Sequence, residues 1–313
     1  MIGYIVRRGG QAVVVLVLVS IVVFLMLHAL PGGLVRSQLG PHASRFAVHH
    51  LIVEEGLTKP LPVQYGIWLS NIVHGNLGYS YLLNTPVSTL LGEYLPRDLI
   101  LGGASLVVAI LLSVPLGVLQ GSRRNSLTDY GLSGSLLTLY SMPYFLLGVI
   151  AIVVFNIWLG ILPSSATTYG QSFGTDVNVL VLPVLALSLG NIAYFSRYLR
   201  SSVIDSLGEE YVRTARAKGA GLRRILTRHV LRNSLLPFVS VVGISLPTVV
   251  SGALVIEVLF NYPGMGLLFW NAQEHRTYPV LLGIILLVSA TVVVGNLLAD
   301  LAYAVLDPRI RYG

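Results

Sequence analysis

Among the polar side chains within the long apolar stretches of this sequence, Glu257 and Asp300 are the notable acids, with Asn191 and Asn296 beside them. An ionisable group at membrane depth costs free energy and by default marks a substrate path, a proton relay or an ion site. Glu257 and Asp300 are thus candidate titrating groups, with Asn191 and Asn296 as polar companions. The two acids, however, fall near opposite ends of their apolar runs. Anchoring a helix terminus, or pairing with a partner subunit, accounts for them at least as well. An intramembrane enzyme needs acids or histidines converging at one depth, which this spacing does not give. Other chemistry is thinner. No G-x-x-x-x-G-K-[ST] loop is present to cradle a nucleotide phosphate, and no H-E-x-x-H to hold zinc. His49-His50 is the only adjacent pair among the seven histidines. Neighbours on a helix point about 100° apart, so a solvated loop fits them better than a metal site. With no cysteine there is neither a disulfide nor a thiolate ligand. No catalytic residue, metal ligand or cofactor is expected in this chain, and it is not expected to be an enzyme.

Docking is better represented than catalysis. The polar stretch from Ser206 to Pro237 lies between two long apolar runs, and nine of the twenty Lys and Arg residues fall between Arg197 and Arg232. Ser206 followed three residues later by Glu209 predicts a capping box at a helix start. Gly219 stands where a helix ending in a left-handed residue requires glycine. Leu222, Ile225, Leu226 and His229 then recur at helical spacing, with Arg223, Arg224 and Arg228 off that stripe. Pro237 is expected to close the second helix. The spacing predicts two short helices joined by a Gly219–Gly221 corner, lying flat on a membrane.

Composition requires that membrane. Hydrophobic residues make up 54% of the 313 and charged residues only 11%, where soluble domains carry about 25%. A net charge of +7 on one face of a domain would point to nucleic acid. Here the charges sit between apolar runs, where attraction to anionic lipid headgroups explains them at about 1 kcal/mol per residue. Membrane lipids are the expected contact, and nucleic acid is not.

Six spans are expected, about 20 apolar residues each sufficing to cross a bilayer. The first follows Arg7-Arg8 from Ala12 to about Leu30, too long for a signal-peptide core. Residues 31–98 read as a long extracytoplasmic loop, and residues 99–313 as a core of five further helices. Those five are expected at about 99–119, 132–159 with a break at Ser141-Met142-Pro143, 178–195, 238–259 and 280–304. Gly102, Gly103, Ala104, Ser105, Gly243 and Ser245 suit close helix packing. With the N-terminus inside, fifteen Lys and Arg lie on the cytoplasmic side, and four of the other five fall in the long first loop. That bias favours both termini inside.

The string Tyr211-Val212-Arg213-Thr214-Ala215-Arg216-Ala217-Lys218-Gly219, followed by Arg228-His229-Val230-Leu231-Arg232-Asn233, resembles the cytoplasmic EAA loop of ABC-importer permeases. It is closest to the dipeptide/oligopeptide branch, of the first-permease (B) type. Arg213 and Thr214 depart from Glu-Ala-Ala, whereas Ala215 matches it. The external stretches Gly56–Pro62 and Gly75–Ser80, the turn Pro263-Gly264-Met265-Gly266 and the tail Asp307–Arg311 are similar to the same branch. Gly33 and Asn76 stand where that branch usually has an acid. The resemblance implies an all-α polytopic fold like that of a type I ABC importer permease, in the plasma membrane. It implies a second homologous permease, two cytoplasmic ATPase subunits holding ATP and Mg, and an extracytoplasmic substrate-binding protein. The residues it implicates in coupling to the ATPase are Glu209, Glu210, Tyr211, Val212, Thr214, Ala215, Ala217, Lys218 and Gly219. Nickel and other small-solute importers share the branch, so they remain the alternative substrates. A proton-coupled secondary transporter is a further alternative, although the inverted repeats usual there are not visible.

Overall fold

The computed structural model describes residues 2–29, 35, 39, 44–54, 56–170, 173–245 and 253–306. Its helices in chain order are α1 (Ile2–His28), α2 (Arg45–Glu54), α3 (Leu61–Val73), α4 (Val87–Ser122), α5 (Leu127–Ser141), α6 (Tyr144–Ala151), α7 (Phe173–Gly208), α8 (Glu210–Ala217), α9 (Leu222–Ile225), α10 (Leu231–Ser245), α11 (Leu254–Phe260), α12 (Met265–Glu274) and α13 (Tyr278–Leu306). A two-stranded antiparallel ribbon, β1 (Tyr79–Ser80) and β2 (Thr85–Pro86), precedes α4. Four helices contain stretches long and apolar enough to cross a membrane: Val6–His28, Val87–Ser122, Asp176–Gly208 and Tyr278–Leu298. A fifth span is available if α5 and the helix beyond it, bent by 107° at Met142-Pro143, count as one. The fifth span expected from the sequence is only partly described: α10 ends at Ser245, α11 starts at Leu254, and Pro247 and Gly252 lie outside the described residues. The tail Asp307–Arg311 and Gly33 also lie outside them.

The chain divides into two compact units, residues 1–98 with 263–313, and residues 99–262. The last apolar helix is thus grouped with the first.

In the first unit Val23 and Leu27 of α1 bury against Leu282 of α13. The described part of the expected extracytoplasmic loop is packed by specific contacts. Gln64 is the clamp: its amide nitrogen donates to the carbonyls of Leu57 (3.0 Å) and Lys59 (2.7 Å). Its Oε1 lies 2.9 Å from His28 Nε2. Tyr65 meets Ser20 at 2.8 Å, and Phe24 packs against Tyr65 and Trp68. Asn76 turns the chain by accepting a hydrogen bond from the Gly78 amide at 3.1 Å. The N-terminus of α12 is held by Asp98, which is buried and accepts from the Met265 amide at 2.7 Å. Val13, Val14, Val17, Leu18, Val22 and Leu25 of α1 stay exposed, an apolar band suited to lipid.

In the second unit α4 lies against α7 at a separation only glycine permits. A Cβ on Gly117 would stand 2.8 Å from Leu199 Cβ and 2.9 Å from the Ser196 carbonyl oxygen. One on Gly121 would stand 2.6 Å from Val203 Cγ1 and 3.0 Å from the Arg200 carbonyl oxygen. Two small residues four apart let helix backbones approach, which is how apolar helices gain contact in lipid. Beneath them Leu199, Val203, Ile192, Ala193 and Phe195 form a core with Phe238 and Val241 of α10.

Candidate coupling site

α7 continues to Gly208, well past the end expected near Phe195. Its last turns leave the apolar span and carry the short helix α8. The predicted capping box does not form, because Ser206 is still inside α7 and buried. Its hydroxyl lies 3.0 Å from that of Ser234 on α10 instead. Ser234 and Ser202 each place a hydroxyl on the other's carbonyl, at 3.1 and 3.2 Å, so these serines fasten α7 to α10. α8 starts instead at Glu210, after an extended Glu209 whose side chain makes no capping bond.

The corner after α8 forms as its sequence predicts. Gly219 has φ of +80°. Its amide donates to the Arg216 carbonyl at 2.9 Å, and the Ala220 amide donates to that of Ala215 at 3.0 Å. This paired arrangement satisfies the last carbonyls of a helix and needs a left-handed residue at the corner. After Gly221 the chain re-enters helix as α9, a π-helical turn (Leu226–Val230) and α10. The extra residue of that turn rotates the inward face. Ile225 and Val230, five apart, are buried, followed by Ser234 and Phe238. Leu222, expected on the buried stripe, is 54% exposed, and His229 is half-buried. Pro237 sits inside α10 rather than closing it.

The residues expected to couple to an ATPase separate onto two faces of α8. Val212 and Ala215 are buried against the protein's own core with Leu199, Val203, Ile225 and Val230, and Tyr211 is half-buried beside them. Val212 and Ala215 thus face the protein's own core and hold the helix down. Glu209, Glu210, Thr214, Ala217, Lys218 and Gly219 are exposed. Among these, Glu210, Thr214 and Ala217, with Arg213, follow helical spacing and make one outer stripe. Arg213 and Glu210 pair at 3.1 Å with both side chains mostly in solvent, so the pair adds little. Full burial of a valine is worth about 1.5–3 kcal/mol, so the apolar underside secures α8.

The polar residues of the apolar runs fall on three helices, α7, α11 and α13. Asn191, half-buried on α7, donates to the Leu187 carbonyl at 3.3 Å, as a residue bonding back within its own helix does. Glu257 is buried in the second unit on α11. Asn296 is exposed on α13, and Asp300 lies on the same helix, its side chain outside the described residues. Among the described residues, no three His, Asp or Glu side chains gather where they could hold a metal ion.

Comparison with known proteins adds what geometry alone does not. Residues 113–312 match the family described as "Binding-protein-dependent transport system inner membrane component", and residues 1–102 match its N-terminal counterpart. The chain belongs to this family. It is a multi-pass protein of the plasma membrane. Among its relatives, the oligopeptide transport system permease protein AppB of Bacillus subtilis is 37% identical over the whole of both chains. A putative peptide permease of Brucella ovis is 39% identical over 99% of each. The dipeptide transport system permease protein DppB of Escherichia coli is 34% identical over 100% of this chain and 99% of its own.

One feature of this family member was missed in its sequence. Asp129, at the start of α5, is 1% exposed and receives a two-pronged contact from Arg200 of α7, Nε to Oδ1 and Nη2 to Oδ2, each 2.7 Å. The Asn125 amide donates to Oδ2 at 3.0 Å, and Ser126 caps the helix through the Asp129 amide at 3.2 Å. Gln120 joins through Ser133 at 3.1 Å. Ser126 and Asp129 carry a short capping signal. Their partner lies 71 residues on, and no local pattern points to it.

Proposed function

We propose that this chain is one of two homologous transmembrane permeases of an ATP-driven importer for peptides. The substrate class is supported by relatives named as oligopeptide, dipeptide and peptide permeases over nearly their whole length. An extracytoplasmic binding protein delivers the peptide, and two ATPase subunits hold ATP and Mg. This chain contributes half of the path and hydrolyses nothing. Both termini and α8 lie in the cytoplasm, within a six-span topology supported by the distribution of Lys and Arg. The chain has no cysteine, so cysteines introduced singly report on sidedness. One at position 218 should resist an impermeant reagent in sealed cells and one at position 59 should react; labelling at 218 would reverse the topology.

The observation that carries the coupling reading is the outer stripe Glu210, Arg213, Thr214 and Ala217 on a helix locked underneath by Val212 and Ala215. Small side chains at 214 and 217 let a partner groove come close to the backbone. Closure of the ATPase pair on ATP moves α8, and α7 with α10 carries that displacement into the membrane, biasing a two-state arrangement of the spans. Thr214→Trp tests the contact: the variant should reach the membrane and pair with the second permease, yet lose at least about tenfold in ATPase recovery. Ala215→Trp should instead lower the yield of folded chain, because overpacking a filled interior costs about 1–3 kcal/mol. Full ATPase recovery with Thr214→Trp in detergent pull-downs would remove α8 from the interface.

A further inference from the structure

A cleft of about 600 Å³ opens in the second unit beside the cytoplasmic half of α7. One wall is a stripe of α7 at helical spacing, Tyr194, Arg197, Tyr198, Ser201 and Asp205, and Tyr140 of α5 faces it. The Tyr140 and Tyr194 rings stack, 6.5 Å between centroids and 19° between planes. Arg197, Ser201 and Asp205 are exposed, and Tyr194 and Tyr198 are 41% and 44% exposed. Neither charged side chain has an ion-pair partner among the described residues. A helix face that packs on another helix in lipid is apolar or small. This one carries two opposite, separated charges on a concave surface, with the tyrosines gathered at the Arg197 end. Charges close to membrane depth face a water-filled cavity.

We propose that this cleft is a transit site for the main chain of a zwitterionic peptide, with Arg197 receiving the C-terminal carboxylate and Asp205 the N-terminal ammonium. This rests on the peptide-permease reading and adds to it a recognition chemistry and a length. Arg197 and Asp205 are eight residues apart on one helix, about 12 Å along its axis. An extended peptide of three or four residues spans about 10–14 Å. Guanidinium matches a carboxylate with two parallel donors. Tyr198 beside Arg197, and Tyr194 with Tyr140 about one turn beyond it, offer flat surface to side chains of any kind near the carboxylate end, while Ser201 lines the interval to Asp205, so the ends of the peptide are read and its sequence is not. Both charges remain in contact with water, which keeps binding weak and suits a site that must release its cargo to the cytoplasm.

The test uses the complete complex in detergent, without the binding protein, so that only the permease can discriminate. Ser201→Cys places a single thiol in the cleft, and its alkylation rate is followed with millimolar tetraalanine or with N-acetyl-tetraalanine amide. Tetraalanine should slow alkylation by about threefold or more, and the blocked peptide should not. Adding Arg197→Gln or Asp205→Asn should abolish the difference. Equal protection by both peptides, or no protection by either, overturns the site. So does a thiol that is inert in the complex before any peptide is added, since the second permease would then cover the cleft. Tetraalanine uptake by the wild-type complex, with binding protein, is measured in vesicles alongside. Uptake without protection overturns the cleft alone, whereas no uptake of any peptide overturns the peptide reading beneath it.

Discussion

Gly219→Val should abolish ATPase recovery and peptide uptake together, while the chain still reaches the membrane and pairs with its second permease. A Cβ at this position would meet nothing within 4 Å, so the substitution meets no steric obstacle from its surroundings. The obstacle is the backbone, held at φ +80°. An ordinary L-residue in the left-handed region costs about 1–2 kcal/mol, and a β-branched one more. The chain escapes that strain by opening the corner. Opening it removes the hydrogen bonds from Gly219 to Arg216 and from Ala220 to Ala215, and re-aims α8 relative to Ile225 and Val230 beneath it. Gly219→Asn is the control, since asparagine tolerates the left-handed region, and it should retain most of the ATPase binding. The measurement is a pull-down of the ATPases with each variant, with uptake read in the same preparation. Wild-type recovery with valine would mean that the orientation of this corner does not matter to docking.

What was legible in the sequence here was what depends on near neighbours. Gly219 needs only its own backbone angle, and Met142-Pro143 needs only the missing amide and the steric demand of proline, so both were readable. The apolar runs were readable because lipid acts on each side chain separately. Two local signals misled. Ser206-x-x-Glu209 has the pattern of a helix start, yet burial against Ser234 carries α7 straight through it. Pro237 has the pattern of a stop, yet it lies within α10. Tertiary packing outweighed a capping preference worth about 1 kcal/mol.

The faces of α8 were illegible for a different reason. A small residue allows close approach from either side, so Ala215 and Ala217 read alike in sequence. Only the position of α7 and α10 decides that Ala215 faces inward and Ala217 outward. The π-helical turn is similarly hidden, since it changes which residue faces the core, Val230 rather than His229, without any change in composition. The close approach at Gly117 and Gly121 is likewise hidden in sequence, where they read no differently from Gly102 and Gly103. Glycine pairs are common in apolar helices, and only the partner surface, here Ser196 to Val203, distinguishes the tight pair.

Breaking the Asp129–Arg200 pair should be the most damaging single change away from the coupling loop, and the two halves should not cost the same. Asp129 is 1% exposed, whereas the Arg200 side chain keeps 28% of its surface. Removing the arginine leaves a carboxylate that is 1% exposed in the intact protein with only the Asn125 amide and Ser133 as partners. Loss of one member of a buried pair typically costs about 3–5 kcal/mol. Removing the aspartate strands a guanidinium that can swing toward water, so the loss should be smaller. Arg200→Met should therefore lower the thermal stability of the purified complex more than Asp129→Asn does. The double variant should recover part of what Arg200→Met loses, because no charge is then left buried. Because α7 carries α8, a melting temperature lowered by Arg200→Met should be accompanied by weaker ATPase recovery. Equal losses from the two single variants would show that the difference in burial does not matter, and a double variant whose loss is the sum of the two would show that Asp129 and Arg200 act independently and that the pair does not join α5 to α7.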